Sequence, residues 1–168
     1  MSVPVLWLVP VFLPMLVEAR VSARHERRLR AMGALEPSGD VYGAMLIAYP
    51  ATFLAMITEG ALRGVTLDPG AVVGAAVFTA AKILKYWAIA SLGDRWTFRV
   101  LVPPGSSRSL RGPYRWLRHP NYVAVAGELA GTAMAMHAVI AGIPAVIGFA
   151  ALMLKRIRIE EQALRQAQ

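Results

Sequence analysis

The chain has 168 residues, a net charge of +8 and a hydrophobic fraction of 57%, above the roughly 45–50% of soluble globular domains. It has no Cys, and its three histidines, His25, His119 and His137, lie far apart, which excludes a disulfide framework, a thiolate metal site, a catalytic thiol and a histidine metal cluster. The apolar residues come in uncharged blocks, Val3 to Val17, Val41 to Ile57 and Ala71 to Ala81, too continuous for the amphipathic faces of a water-soluble bundle and suited to lipid.

A bilayer core of about 30 Å takes about 20 helical residues, and on that ruler the sequence predicts five spans. The first, near 3–22, has no basic stretch ahead of it and no small-residue cleavage site, so it reads as a retained span and not a signal peptide. A basic segment follows with Arg20, Arg24, Arg27, Arg28 and Arg30. The second span, 41–62, leads into a connection whose basic residue is Arg63, and the third, 70–92, carries Lys82 and Lys85 within it. A long loop, 93–121, holds Arg95, Arg99, Arg108, Arg111, Arg115 and Arg118. The last two spans, 122–137 and 140–156, share the run from Tyr122 to Leu154, in which Gly142 and Pro144 mark the expected break. Both arms are then short, as in a hairpin whose ends dip toward an interface. The tail carries Lys155, Arg156, Arg158 and Arg165.

Five spans put the segments 20–40, 93–121 and 155–168 on one side, with nearly all the positive charge. The positive-inside rule makes that side cytoplasmic and the N-terminus external. The fold class expected is all-α, a single-domain polytopic membrane helix bundle over 1–168 that ends in a helical hairpin. In such a chain the arginines meet anionic lipid headgroups. They lack the interleaved aromatics of a single-strand groove, so nucleic acid is not an expected partner. Ala124, Gly127 and Gly131 predict close helix packing, within the chain in the simpler reading. Oligomeric state is left open.

The loop segment 103–122 is dense in turn chemistry: Pro103, Pro104, Gly105, Gly112, Pro113 and Pro120 redirect the backbone repeatedly. Pro120 suits the first turn of the fourth helix, with His119 at its entrance, where free N–H groups favour a negatively charged partner. A plain alternative is an interfacial anchor, with Tyr114, Trp116 and Tyr122 as an aromatic belt and snorkelling arginines.

Gly112-Pro113-Tyr114-Arg115, Arg118-His119-Pro120-Asn121-Tyr122 and the later run Arg156-Ile157-Arg158-Ile159-Glu160-Glu161-Gln162-Ala163-Leu164 together resemble the signature of the isoprenylcysteine carboxyl methyltransferase family of integral membrane enzymes. The resemblance covers roughly 80–168, and the first two spans by topology alone. It implies a cofactor-binding core over 70–168, enclosing S-adenosylmethionine between loop and hairpin. Tyr114, His119, Pro120, Asn121, Tyr122 and Glu160 would contact the cofactor, and Arg156, one turn before Glu160, would serve the acceptor. The sequence departs from the family where Val123-Ala124 replace a frequent Gly. Glu128, a carboxylate in the fourth span, is expected to pair with an arginine of the loop, a direct ligand role being the alternative. The run Arg24 to Glu36, with Lys85-Tyr86-Trp87, Leu92-Gly93 and Trp96, is similar to a bacterial branch that O-methylates alkylresorcinols and alkylpyrones, which implies a bacterial cell membrane.

The resemblance thus implies methyl transfer to an oxygen of a lipophilic small-molecule acceptor, a carboxylate, enol or phenol, with the cofactor entering from the cytoplasm and the acceptor from the lipid. Such a transfer needs orientation and a deprotonated acceptor. Arg156 would hold an anionic acceptor, and His119 would serve as base for a phenol. Two other readings stand beside it. NADPH-dependent membrane sterol-type reductases share a similar Arg-His-Pro-x-Tyr segment, and a non-enzymatic lipid-binding subunit would leave Glu160 and Glu161 unexplained.

Overall fold

The computed structural model describes residues 2–106 and 108–166. They form α1 (Val3–Ala31), α2 (Tyr42–Leu62), α3 (Pro69–Leu92), α4 (Pro120–Ala135) and α5 (Val139–Gln166), with short 3-10 turns at Gly93–Arg95 and Gly112–Arg115. The bundle is all-helical; an isolated antiparallel bridge joins Leu35 to Val102 between two connections.

Four helices are long and apolar enough to cross a membrane: Val3–Ala31, Tyr42–Leu62, Pro69–Arg95 and Val139–Arg165. Of the two hairpin arms expected to be short, the fourth helix is short and the fifth is a full-length span. At 16 residues, α4 covers about 24 Å, less than a hydrocarbon core of about 30 Å. The hairpin also turns elsewhere than Gly142 and Pro144, which lie inside the 28-residue α5. The turn is at Met136–Ala138. His137 takes φ +48°, its N–H reaches the Met134 carbonyl at 3.1 Å, and the Ala138 N–H reaches that of Ala133 at 2.9 Å. These two bonds make a Schellman stop, with His in the left-handed position that Gly usually fills. Glu59, from the end of α2, then caps α5 by accepting the N–H groups of Ile140 (3.1 Å) and Ala141 (2.7 Å). Pro144 does not end the helix because Pro is tolerated where neighbouring helices support the backbone.

α4 packs most closely on α3. A Cβ on Gly74 would stand 2.3 Å from the Ala135 nitrogen, and one on Gly131 2.6 Å from the Phe78 nitrogen. The two backbones therefore touch, and the small-residue stripe acts within the chain. Phe53, Met56, Leu129 and Met136 fill the centre. Leu6, Val9, Leu13 and Leu16 of α1 and Ile47 of α2 face outward, as lipid contact requires.

Charges cross this core. Lys85 Nζ lies 2.7 Å from Glu18 and 3.4 Å from Glu128, and Lys82 Nζ lies 3.2 Å from each of the same carboxylates. Tyr49 donates its hydroxyl proton to Glu128. The expected partner of Glu128, a loop arginine, is therefore replaced by two α3 lysines. Glu128 sits eight residues past Pro120, about 12 Å along the helix, at the depth of α3 and beyond the loop.

The three basic segments gather at one end of the bundle. Arg28 grips Asp94 (2.9 Å), Arg99 grips Glu36 (2.7 Å), and His119 meets Glu161 (3.3 Å). The opposite end carries Arg63 bound to Glu59 and Asp68 bound to His137.

Candidate functional site: two cavities with a common wall

At the arginine-rich end the segment 96–102 crosses the bundle as a strap. Its backbone is tied to three elements. The Trp96 carbonyl meets His25 Nδ1 at 2.8 Å, the Phe98 N–H donates to Ser22 Oγ at 2.7 Å, and the Val100 N–H donates to Asp40 Oδ2 at 3.2 Å. Arg156, reaching up from α5, donates to the Phe98 carbonyl. These contacts pair the Trp96 and Phe98 carbonyls and the Phe98 and Val100 N–H groups, which would be costly to bury unpaired.

On one side of the strap lies a polar cavity of about 330 Å³. Its walls are the strap, the 3-10 turn at Tyr114, the entrance of α4 and the last turns of α5. Tyr114, His119, Asn121, Tyr122, Arg156 and Glu160 all line it, together with Glu161, Arg99 and Arg118. Pro120 is buried and lies off the wall, at the first turn of α4. The Gly-Pro-Tyr motif is held by geometry. Gly112 has φ +54°, and a Cβ there would stand 1.9 Å from Ser91 Oγ, so only Gly lets this turn lie on α3. That contact swings Tyr114 inward. Burial, with the Glu160 carboxylate adding to it, pushes the Tyr114 hydroxyl well above the ordinary phenol range. Tyr114 therefore stays a neutral hydrogen-bond donor.

On the other side lies an apolar cavity of about 470 Å³ between α1, α2, α4 and α5. Phe12, Met15, Met45, Val125 and Phe149 line it, Leu16 and Leu46 carry it to the lipid-facing side, and Tyr49 and Lys85 stand at its inner end. Five residues line both cavities: Trp96, Thr97, Asn121, Tyr122 and Arg156. His119 faces the polar cavity alone, with Nε2 turned to Glu161.

Within this common wall the hydrogen bonds run in series. Arg156 Nε donates to the Tyr122 hydroxyl at 3.1 Å, and that hydroxyl donates to Glu160 Oε2 at 3.0 Å. Trp96 Nε1 points at Asn121 Oδ1 at 3.5 Å. Arg156 is 6% exposed and also lies 3.6 Å from Asp40. Asp40, Ser22 and His25 were not singled out as site residues from sequence. Asp40 had a signal, as the last charge before an uncharged span, and His25 lies in the run Arg24 to Glu36 that carries the second resemblance; Ser22 had none beyond its place in a basic segment.

Residues 73–166 match the isoprenylcysteine carboxyl methyltransferase (ICMT) family. The chain is 32% identical over 149 residues, 89% of each chain, to the uncharacterized protein YpbQ of Bacillus subtilis. It is 26% identical over 148 residues to an uncharacterized protein of Haemophilus influenzae, covering 86% of this chain and 84% of that one. No solved structure matches. The family match spans more than half of the chain, and it includes every motif that the helical membrane bundle gathers around the polar cavity. The protein is therefore an integral membrane protein that belongs to the isoprenylcysteine carboxyl methyltransferase family.

Proposed function

We propose that this protein transfers a methyl group from S-adenosylmethionine to an oxygen of a lipophilic acceptor held in the membrane. The observation that carries the reading is the common wall. A polar cavity and an apolar cavity meet at Trp96, Thr97, Asn121, Tyr122 and Arg156, which is what a water-soluble donor and a lipid-soluble acceptor require of one enzyme.

The polar cavity fits the donor by chemistry. Its carboxylates, Glu160 and Glu161, suit an ammonium, its arginines suit a carboxylate, and the faces of Tyr114, His119 and Trp96 suit a purine. Its volume falls within the range of cofactor sites, roughly 300–1,000 Å³. When bound, S-adenosylmethionine supplies an electrophilic methyl on a sulfonium whose departure leaves a neutral thioether. The chain's own residues orient the reactants and exclude water: the strap and α4 close the wall, and Arg156 presents positive charge beside the acceptor oxygen. The arginine-rich end that opens the polar cavity faces the cytoplasm in this reading, and the acceptor enters from the lipid past Leu16 and Leu46.

The test is a calorimetric titration of the purified protein with S-adenosylhomocysteine, repeated on Glu160→Ala. Binding is expected in the wild type, with at least a tenfold loss in the variant. No binding to the wild type, or equal binding to both, would overturn the donor site as drawn.

A further inference from the structure

We infer that Tyr122 is the proton-accepting residue for a hydroxyl acceptor, passing its own proton to Glu160 as it takes one from the substrate. The inference rests on the methyl-transfer reading above and names how that site deprotonates its acceptor. Methylation of a neutral hydroxyl releases a proton, and that proton needs a path away from the apolar cavity. Among the described residues lining that cavity, Tyr122 is one that also lines the polar cavity, and its hydroxyl is already bonded to a carboxylate, Glu160, at 3.0 Å. His119, the residue that sequence favours as a base, does not line the apolar cavity, and its Nε2 is turned to Glu161 at 3.3 Å. Tyr49 is also bonded to a carboxylate, Glu128, but at the inner end, where the two α3 lysines hold that carboxylate.

The relay balances. The acceptor O–H bond breaks as a new O–H bond forms on Tyr122. The former Tyr122 proton moves to Glu160 Oε2. The acceptor's electron pair forms the new O–C bond, and the pair of the breaking C–S bond stays on sulfur. The proton on Glu160 then leaves into the polar cavity, which Glu160 lines. Arg156 Nε, donating to the same Tyr122 oxygen at 3.1 Å, fixes the hydroxyl so that its proton points to Glu160. Tyr122 never has to be a free tyrosinate; it relays within one concerted exchange.

The experiment uses two probes in the full-length protein, 4-dodecylphenol and 2-nitro-4-dodecylphenol, the second of which ionises near neutral pH unaided. At mildly alkaline pH and saturating donor, Tyr122→Phe is expected to slow transfer to dodecylphenol about 10²- to 10⁴-fold. Transfer to the nitrophenol should fall by less than about tenfold at the same saturating donor, since it needs no base. A second readout needs no donor: the nitrophenolate absorbance of the bound probe. Its ionisation constant is expected to be about tenfold larger on the wild type than on Tyr122→Phe, which lacks the hydroxyl facing the phenolate, and to rise in Glu160→Gln, which removes a like charge next to that hydroxyl. Equal losses with both phenols, a loss that tracks cofactor affinity, or an unchanged nitrophenolate titration in both variants would overturn the relay. Failure of the wild type to bind S-adenosylhomocysteine would overturn the donor reading instead, and the absorbance titration would still decide the relay.

Discussion

Arg156 shows how much a single side chain is asked to do. Its guanidinium contacts Tyr122, the Phe98 carbonyl and Asp40 while 6% exposed. A planar fork meets these separate acceptors, and an ammonium at the end of a flexible stem does not. Arg156→Lys should therefore lose methyl transfer by more than tenfold while keeping its charge, measured beside S-adenosylhomocysteine affinity, which is expected to hold. Asp40→Ala leaves the Val100 N–H and the guanidinium short of an acceptor and should cost about 1–3 kcal/mol in a detergent melting experiment. At the far end, Asp68 is held below the ordinary carboxylate range, chiefly by the Ala71 N–H and then by His137. A depressed carboxylate contributes stability above its unfolded pKa of about 3.9, and the contribution is lost as pH falls through the lower folded value. Asp68→Asn should flatten the acid limb of a stability-versus-pH curve below about pH 4. The motif residues Tyr114, His119, Asn121, Tyr122, Arg156 and Glu160 were legible in sequence because short runs carry them. The bonds that tie the strap to His25, Ser22, Asp40 and Arg156 were not, because each joins residues 58 or more positions apart in the chain.

The α4–α5 hairpin turns where tertiary contacts, and not local propensity, place it. Gly142 and Pro144 are the strongest turn residues in the run, yet the chain turns at His137, a residue with no turn reputation. The decision was tertiary: Glu59 caps the new helix and Asp68 meets the His137 ring at 2.8 Å. Local propensity is a weak prior inside a membrane, where an unpaired backbone group costs more than a proline does. The α3–α4 contact, by contrast, was written in Gly127 and Gly131 as spacing. Gly131→Leu should force the two backbones apart and give misfolded or rapidly degraded protein, read as loss of the monodisperse peak in detergent. Even Gly131→Ala would place a carbon 2.6 Å from the Phe78 nitrogen and is expected to cost about 1–3 kcal/mol.

Across the whole molecule, two lysines and two glutamates from α1, α3 and α4 share one buried site, with Tyr49 of α2 on its edge. The set is neutral as a group. Lys85→Met alone leaves an uncompensated carboxylate in the core and should cost about 3–5 kcal/mol. Adding Glu18→Gln restores neutrality, so the double variant should melt closer to the wild type than the single one does. The topology follows from the same bundle: reporters fused at Gly33 and at the C-terminus are both expected to read cytoplasmic, since the three arginine-rich segments share one end.

The exposed leucines at the mouth of the apolar cavity, Leu16 and Leu46, have a kinetic meaning under the proposed function. An enzyme that draws its acceptor sideways out of a bilayer responds to how crowded that acceptor is among its lipid neighbours. Moles per litre of buffer then cease to be the relevant unit. Adding inert phospholipid at constant total acceptor should slow turnover, and adding water should leave it unchanged.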